Sequence, residues 1–284
     1  MQRILSTYRF VNQPLGAALL AEIARAGFSA VEVFCASQHF SYRDAQRVRE
    51  LGDALGEYRL ALHSVHSPTD RDRSPGRESG VAISISDPER IRRLDAVDEI
   101  KRVLDVAEQV PFQYLIQHIG HGRQAADARK LDAAFTSLES LSMFAKARGV
   151  TIALENTPDE LGAPASLQHF ITDTHLHDLK LCFDIGHAHI EEGVQASFDA
   201  MRERVVTTHI HDNHGQDDEH LLPYEGKIDW DATLQLFVDA PHNLPIVLEL
   251  KESVTPSDVL GKARATFDRI ENELESKRPS PTQS

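Results

Sequence analysis

Nine histidine, aspartate and glutamate residues stand at or just after the ends of short apolar segments that predict β-strands. They are His66, His118, Glu155, Asp184, His187, His209, Asp218, His220 and Glu249. Imidazole combined with carboxylate is typical of sites for zinc, manganese and related transition metals, whereas magnesium and calcium prefer oxygen ligands. The pattern therefore predicts a divalent metal site, with manganese, zinc or cobalt as the candidate cations.

Each of these residues taken alone has a simpler explanation. A histidine at a strand end is usually only hydrogen-bonded, and a carboxylate there often caps the next helix. Chance does not easily explain six consecutive predicted strands that all end in a ligand-type side chain. Burying several carboxylates together without cations is also costly, so the repetition favours a metal site.

Alternating segments in the chain predict the fold that brings these residues together. Segments rich in valine, isoleucine and leucine predict buried parallel strands at 3–8, 30–35, 59–65, 113–117, 150–154, 179–183, 205–210 and 245–248. Helical periodicity predicts helices at 15–26, 43–57, 87–109, 129–148, 166–174, 194–204, 229–239 and 257–274. We predict a single-domain (β/α)8 TIM barrel over residues 1–275, with an open doubly wound sheet as the alternative and a disordered tail at 276–284.

In such a barrel the carboxyl ends of all strands meet at one mouth, where active sites are built. The parallel topology thus gathers side chains that are far apart in sequence. Two long loops follow strands there, at 67–85 and 212–227, and loops of this length are usually functional or disordered. The arginines of the first loop suit either recognition of an acid or phosphate group or a solvated surface.

Net charge, apolar runs and cysteine count exclude several classes of function. The 284 residues carry 30 lysines and arginines against 44 aspartates and glutamates, a net charge of −14, so a general basic surface for nucleic acid is absent. No apolar run is long enough for a membrane helix, and the first residues do not resemble a signal peptide. With only Cys35 and Cys182, a disulfide framework is excluded, and we expect a cytoplasmic protein.

The ten histidines outside the ligand set divide into two groups. We expect five histidines to be solvated: His39, His169, His175, His177 and His242. Five others flank the site and either orient ligands or contact substrate: His63, His121, His189, His211 and His214. Glu32 is expected either to reach the mouth or to form a structural ion pair, and Trp230 to pack at the barrel rim.

Several motifs resemble those of one superfamily. They are His66-Ser-Pro68, His118-Ile-Gly120, Glu155-Asn-Thr157, Asp184-x-x-His187, His209-Ile-His-Asp212, Glu225-Gly226 and Glu249. The sequence resembles the xylose isomerase-like TIM-barrel superfamily over most of its length. That superfamily contains sugar isomerases and epimerases and also the endonuclease IV type of apurinic endonuclease. Its members often form dimers or tetramers, so the resemblance is compatible with a homo-oligomer.

The epimerase branch implies one divalent cation per chain, held by Glu155, Asp184, His209 and Glu249. The two glutamates would also act as acid and base on a small polyhydroxylated carbonyl substrate. The histidines that would contact this substrate are His66, His118, His187 and His220.

The endonuclease IV branch implies up to three zinc ions, because all nine of its protein ligands are matched by the nine residues above. Nucleic acid is an expected partner only under this alternative. Three features argue against it: Glu219 stands where the nuclease motif has arginine, the loop after His66 lacks the expected tyrosine, and the net charge is negative. The segment 209–230 instead resembles proteins labelled sugar phosphate isomerase/epimerase. The sequence therefore favours a metal-dependent sugar, sugar-phosphate or cyclitol isomerase or epimerase, with the zinc hydrolase as the alternative.

Overall fold

Eight parallel strands close into a barrel in the computed structural model, which describes residues 2–71, 81–122, 125–251 and 258–278. The strands are β1 Arg3–Ser6, β2 Ala30–Phe34, β3 Ala61–His66, β4 Tyr114–Gln117, β5 Thr151–Glu155, β6 Lys180–Asp184, β7 Val205–Ile210 and β8 Ile246–Leu248. Each strand pairs with its neighbours in sequence, and β8 pairs with β1. The (β/α)8 prediction is confirmed, and the open-sheet alternative is wrong.

Helices surround the barrel within the described residues. They are α1 Ala17–Arg25, α2 Ala45–Tyr58, α3 Arg90–Leu104, α4 Ala128–Lys146, α5 Pro164–Thr174, α6 Ile185–Ile190, α7 Val194–Met201, α8 Trp230–Val238 and α9 Val259–Lys277. Short 3-10 turns at Thr7–Phe10 and Asp105–Glu108 follow β1 and α3. In the long loop after β3, the segments Asp70–Arg71 and Val81–Ala82 pair as a small antiparallel sheet.

Local chemistry explains where these elements begin and end. The β2 residues are buried throughout, because helices cover the barrel outside and side chains fill it inside. The Asp44 side chain accepts a hydrogen bond from Gln46 N (2.9 Å) and so caps the start of α2. That helix is followed by Arg59, whose φ of 56° lies in the left-handed region typical of a C-terminal cap.

Three details differ from the sequence predictions. Helix α6 follows β6 directly and was not predicted, because it is only six residues long. The last helix continues to Lys277, so the predicted tail at 276–284 starts inside it; residues 279–284 lie outside the described residues. His39 is not solvated: only 2% of it is exposed, and its Nδ1 donates to Gln13 O at 2.6 Å.

No helix among the described residues is both long and apolar enough to cross a membrane.

Candidate metal centre

The barrel mouth gathers all nine predicted ligands and one further histidine. They fall into three groups in which one nitrogen or carboxylate oxygen per residue lies within 4.8 Å of the others. The central set is Glu155, Asp184, His209 and Glu249; the rim set is His66, His118 and Glu155; the loop set is His187, His211, Asp218 and His220. Glu155 belongs to both the central and the rim set, and His211 Nε2 lies 3.1 Å from Asp184 Oδ2 of the central set, so the three form one continuous cluster.

The central set lies deepest in the barrel. His209 Nδ1 is 3.1 Å from Glu155 Oε1, 3.5 Å from Glu249 Oε2 and 3.9 Å from Asp184 Oδ2. At most 4% of any of these side chains is exposed. Three carboxylates thus converge on one imidazole nitrogen out of contact with bulk water, which is an unfavourable arrangement without a cation.

The rim set shares the other oxygen of Glu155. His66 Nε2 lies 3.2 Å and His118 Nε2 lies 3.0 Å from Glu155 Oε2. The opposite oxygen, Oε1, faces His209 in the central set. Each oxygen of this carboxylate therefore faces a different ligand set, so Glu155 would supply one oxygen to each set if both held a cation.

Hydrogen bonds on the outer side of the histidine rings test whether these residues fit a metal. In four rings, one nitrogen donates to a backbone oxygen or to Glu32, none of them a ligand-set side-chain atom, while the other nitrogen faces a ligand-set carboxylate. The outer acceptors are Ser67 O for His66 (2.8 Å), Asn156 O for His187 (2.9 Å), Glu249 O for His220 (3.3 Å) and Glu32 Oε2 for His209 (3.1 Å). The outer bond holds each ring in place, so the inner nitrogen is the one that a metal ion would bind once it has displaced any proton there. The rings are thus oriented as ligands, and the residues fit a metal centre.

Asn156, directly after β5, fixes the position of Asp184. Its side chain accepts from Asp184 N at 2.7 Å and donates to Asp184 O at 2.9 Å, joining the ends of β5 and β6. Asp184 Oδ1 in turn accepts from His187 N at 2.7 Å and begins α6. The short helix therefore turns His187 back over the mouth.

The loop that carries Asp218 and His220 is held by one buried carboxylate, Asp212. Its two oxygens accept four hydrogen bonds, from Asn213 N (2.8 Å), Ile228 N (3.1 Å), Tyr224 N (3.0 Å) and Trp230 Nε1 (2.7 Å). A Cβ at Gly226 would lie 2.3 Å from Asp212 Oδ1, so the chain needs glycine there. Asp212 and Leu221 also pair through their backbones.

Trp230 contributes one of these bonds as well as the packing predicted for it. We expect Trp230→Phe to lower the free energy of unfolding by about 1 kcal/mol, because the indole donor to a buried carboxylate is lost while most ring packing remains. Urea unfolding of the metal-free protein measures this change. Unaltered stability would mean that the Trp230–Asp212 bond contributes nothing to the loop.

The glutamates of the central set have opposite pKa shifts. Burial alone raises the pKa of Glu155, but His209 and His118 outweigh it and hold that pKa well below its usual range. Burial, reinforced by the nearby charge of Glu155, raises the pKa of Glu249 to about 7 despite opposition from His209 and His66. Burial lowers the pKa of the His209 ring, yet the surrounding acidic groups raise it well above its ordinary value.

These directions predict the pH dependence of metal binding. Below about pH 7 the metal-free protein holds protons on Glu249 and His209, and a cation must displace them. Affinity for Mn²⁺ or Co²⁺ should therefore rise from pH 6 to pH 8, by about tenfold per pH unit for each proton displaced. Calorimetric titration in buffers of different ionisation enthalpy measures both the affinity and the protons released. Affinity that is flat across this range, with no proton release, would contradict the prediction.

Several residues expected near the site lie elsewhere. His63 Nε2 is 3.0 Å from Thr207 Oγ1 and belongs to none of the three sets. His214 pairs with Glu219 at the surface (2.7 Å), and His189 bonds Asn213 (2.8 Å). The remaining flanking histidine, His121, lies 4.0 Å from Asp70. In the loop after β3, Arg71 bonds the Asp95 backbone; Arg73 and Arg77 lie outside the described residues.

An aromatic wall beside the rim set was not predicted from the sequence. Phe34 stacks on His66 with ring centroids 4.6 Å apart, and Tyr8 lies 4.6 Å from Phe34 and 5.5 Å from His220. Phe34 ends β2 and Tyr8 lies two residues after β1, as the ligands end or follow their strands, and that was the available signal. The wall gives the mouth an apolar side.

The closed parallel barrel with clustered ligand-type side chains at its mouth defines the class of this protein. A family model described as xylose isomerase-like TIM barrel matches residues 20–270, and the chain belongs to this family. The family named from the sequence motifs is thereby confirmed.

Individual relatives are distant. An uncharacterized protein of Methanocaldococcus jannaschii is 27% identical over 255 residues, which are 85% of this chain and 82% of that protein. A protein of Haloquadratum walsbyi named probable endonuclease 4 is 26% identical over 235 residues, covering 72% of this chain and 81% of that protein. Among solved structures, a D-tagatose 3-epimerase-like protein superposes with a TM-score of 0.80 at 22% identity, covering 98% of this chain and 99% of the other. Similarity at that identity shows the fold alone.

Proposed function

We propose that this protein is a hydrolase that cleaves a phosphoester bond with a cluster of divalent cations. The observation that carries the proposal is the placement of Glu155, whose two carboxylate oxygens face different ligand sets. In the epimerase mechanism that the sequence favoured, this glutamate needs an oxygen free to move a proton. Both oxygens are instead within 3.2 Å of imidazole nitrogens, from His66, His118 and His209.

Charge balance supports more than one cation. The three ligand sets contain four carboxylates, Glu155, Asp184, Asp218 and Glu249, three of them almost completely buried. One divalent cation would neutralise half of this charge and leave an anionic pocket, which repels a phosphate. Two would neutralise it, and a third would make the centre attractive to an anionic substrate.

The cations and the residues around them would have separate roles in the reaction. Divalent cations bound there would supply the acidity that makes water a nucleophile at neutral pH and would neutralise charge on the departing oxygen. His66 and His118, with Glu155, give the rim set three protein ligands, the number typical of a site that keeps one position for water or substrate. Phe34 shields one face of His66 from solvent.

The substrate that fits this mouth is small. Glu219, which stands where the nuclease motif has arginine, bonds the exposed ring of His214 at 2.7 Å. This acidic group in the loop after β7 opposes the binding of a long polyanion, and so does the net charge of −14. We therefore propose a phosphoester of a small organic molecule rather than duplex DNA.

The test measures the metal content of the protein first and then its activity on candidate substrates. Protein purified without chelator is analysed for bound metal, and the loaded protein is assayed on bis(p-nitrophenyl) phosphate, sugar phosphates and a duplex with an abasic site. We expect two to three cations per chain and turnover of a small phosphoester. Cleavage of the duplex alone would overturn the substrate proposal, and about one cation per chain with no phosphoester cleavage would overturn the hydrolase.

The second candidate is the sugar isomerase or epimerase favoured by the sequence. It is supported by Glu155 and Glu249, which both belong to the central set, as an acid–base pair around one cation requires. The fold similarity to proteins described as sugar epimerases adds to it. Its signature is deuterium uptake from solvent at the carbon next to a ketose carbonyl, by protein that holds about one Mn²⁺, Co²⁺ or Zn²⁺.

A further inference from the structure

Lys251 lies two residues after Glu249 and was not among the site residues predicted from the sequence. Its Nζ donates to Asp218 Oδ2 at 2.9 Å and also to the backbone oxygen of Asp218. Only 29% of each of the two side chains is exposed. The ammonium group is thus held by two hydrogen bonds against the carboxylate of the loop set, largely out of contact with bulk water.

This ion pair distinguishes Asp218 from the other carboxylates of the ligand sets. Within the described part of the chain, the ion pairs of Glu155, Asp184 and Glu249 are with histidines alone. An imidazole that binds a metal is neutral, so bound cations must balance the charge of these three carboxylates. Asp218 instead has the positive charge of a lysine side chain beside it.

The loop set also offers fewer ligands than its four members suggest. His211 Nε2 donates to Asp184 Oδ2 at 3.1 Å, and the His211 ring lies face to face with that of His220, with centroids 3.8 Å apart. His211 is therefore engaged with the central set, which leaves His187, Asp218 and His220 for a cation. The one carboxylate among these three is the one that already forms an ion pair.

A cation in the loop set would share Asp218 with the ammonium group. The oxygen that Lys251 contacts, Oδ2, is also the one that lies 2.9 Å from His220 Nε2 and 3.7 Å from His187 Nε2. Two positive groups on one carboxylate repel each other, and the repulsion is stronger where water is largely excluded. The loop set should therefore bind a divalent cation more weakly than the rim and central sets do.

We propose that Lys251 takes the place of a third cation, so that this protein works with two. The rim and central sets bind the two cations, and the loop set stays free of metal because the ammonium group already balances Asp218. The inference rests on the metal centre of the proposed function and departs from the three zinc ions that the endonuclease IV resemblance implied. Two cations balance the four ligand-set carboxylates, and Lys251 adds the further positive charge that favours an anionic substrate.

The experiment counts the zinc bound by wild-type protein and by Lys251→Met, which removes the charge but keeps an unbranched side chain. Lys227→Met is the matched control, because Lys227 is exposed in the loop that carries Asp218 and belongs to no ligand set. Metal-free protein is dialysed to equilibrium against several free Zn²⁺ concentrations, and bound zinc is measured by elemental analysis. Lys251→Met should bind one more zinc than wild type, at least tenfold more tightly than wild type binds any further zinc. Lys227→Met should match wild type.

Three zinc ions bound equally tightly by wild type would overturn the proposal, and so would a Lys251→Met variant that binds no more zinc than wild type. If Lys251→Met does not fold, Lys251→Gln, which is neutral and can still donate to Asp218, takes its place with the same expected gain. A gain of one zinc in a protein that cleaves no phosphoester would refute the hydrolase but support the role of Lys251. Phosphoester cleavage with three equally tight zinc ions would do the reverse, so the two failures are distinguishable.

Discussion

Replacing Glu155 with glutamine is expected to abolish turnover, with a loss of at least about a thousandfold, and to remove at least one cation per chain. Glutamine has the same shape but only one oxygen, and its amide nitrogen cannot bind a metal. Either the rim set or the central set therefore loses a ligand, because each faces its own oxygen of Glu155. Elemental analysis and the turnover of whichever substrate responds measure the two effects.

Glu160→Gln provides the matched control for this substitution. Glu160 lies five residues further along, is exposed, and accepts a hydrogen bond from Ala126 N at 2.9 Å. We expect it to keep its metal content and its activity. Glu155→Gln that folds and still holds the wild-type number of cations would show that Glu155 does not bridge two sites, and the multinuclear proposal would lose its main support.

The fold was predictable because its signals are local and repeated. Short apolar runs between amphipathic stretches predict parallel strands that are covered by helices. The ends of those strands then determine which side chains meet at the mouth. Helix α6 was missed because six residues, fewer than two turns, are too few to show periodicity. His39 was misassigned because a histidine in a loop carries no sequence signal for the backbone that later covers it.

The site was less predictable where strands are irregular. His63 lies an odd number of residues before His66, so strict alternation places the two on opposite faces of β3. The pairing of β2 with β3 shifts register there, from Val31–Leu62 to Glu32–Ser64, and leaves His63 as an extra residue. A bulge of this kind depends on the neighbouring strand and leaves no mark in the local sequence.

Alternation of side chains along a strand explains the position of His211 but not that of Glu32. His211 stands two residues after His209, so alternation was enough to place both rings on one side of β7. Glu32 lies in a strand whose residues are buried on both faces, and there alternation of apolar and polar residues is absent. Only the structure shows that it lies beneath the central set, in contact with His209.

Glu32→Gln is expected to weaken metal binding by about ten- to a hundredfold while changing the stability of the metal-free protein much less. Glu32 Oε2 accepts the Nε2 proton of His209 at 3.1 Å, which leaves Nδ1 free to face the central set, and the negative charge increases the basicity of the ring. Glutamine still accepts this proton through its oxygen but loses the charge. The other oxygen, Oε1, is buried without a partner among the described residues, so the carboxylate is poorly suited to a purely structural role.

Ser64→Ala separates this positioning role from general packing. Ser64 Oγ donates to the same Glu32 oxygen at 2.7 Å but does not belong to any ligand set. We expect its loss to lower stability slightly and to leave the Mn²⁺ or Co²⁺ dissociation constant within about threefold of wild type. A structural role for Glu32 predicts the reverse for Glu32→Gln: a lower unfolding free energy without a change in metal affinity. Glu32 belongs to none of the three ligand sets. Loss of affinity in this variant would therefore show that the Glu32 charge acts on the cation through His209 and not by direct coordination.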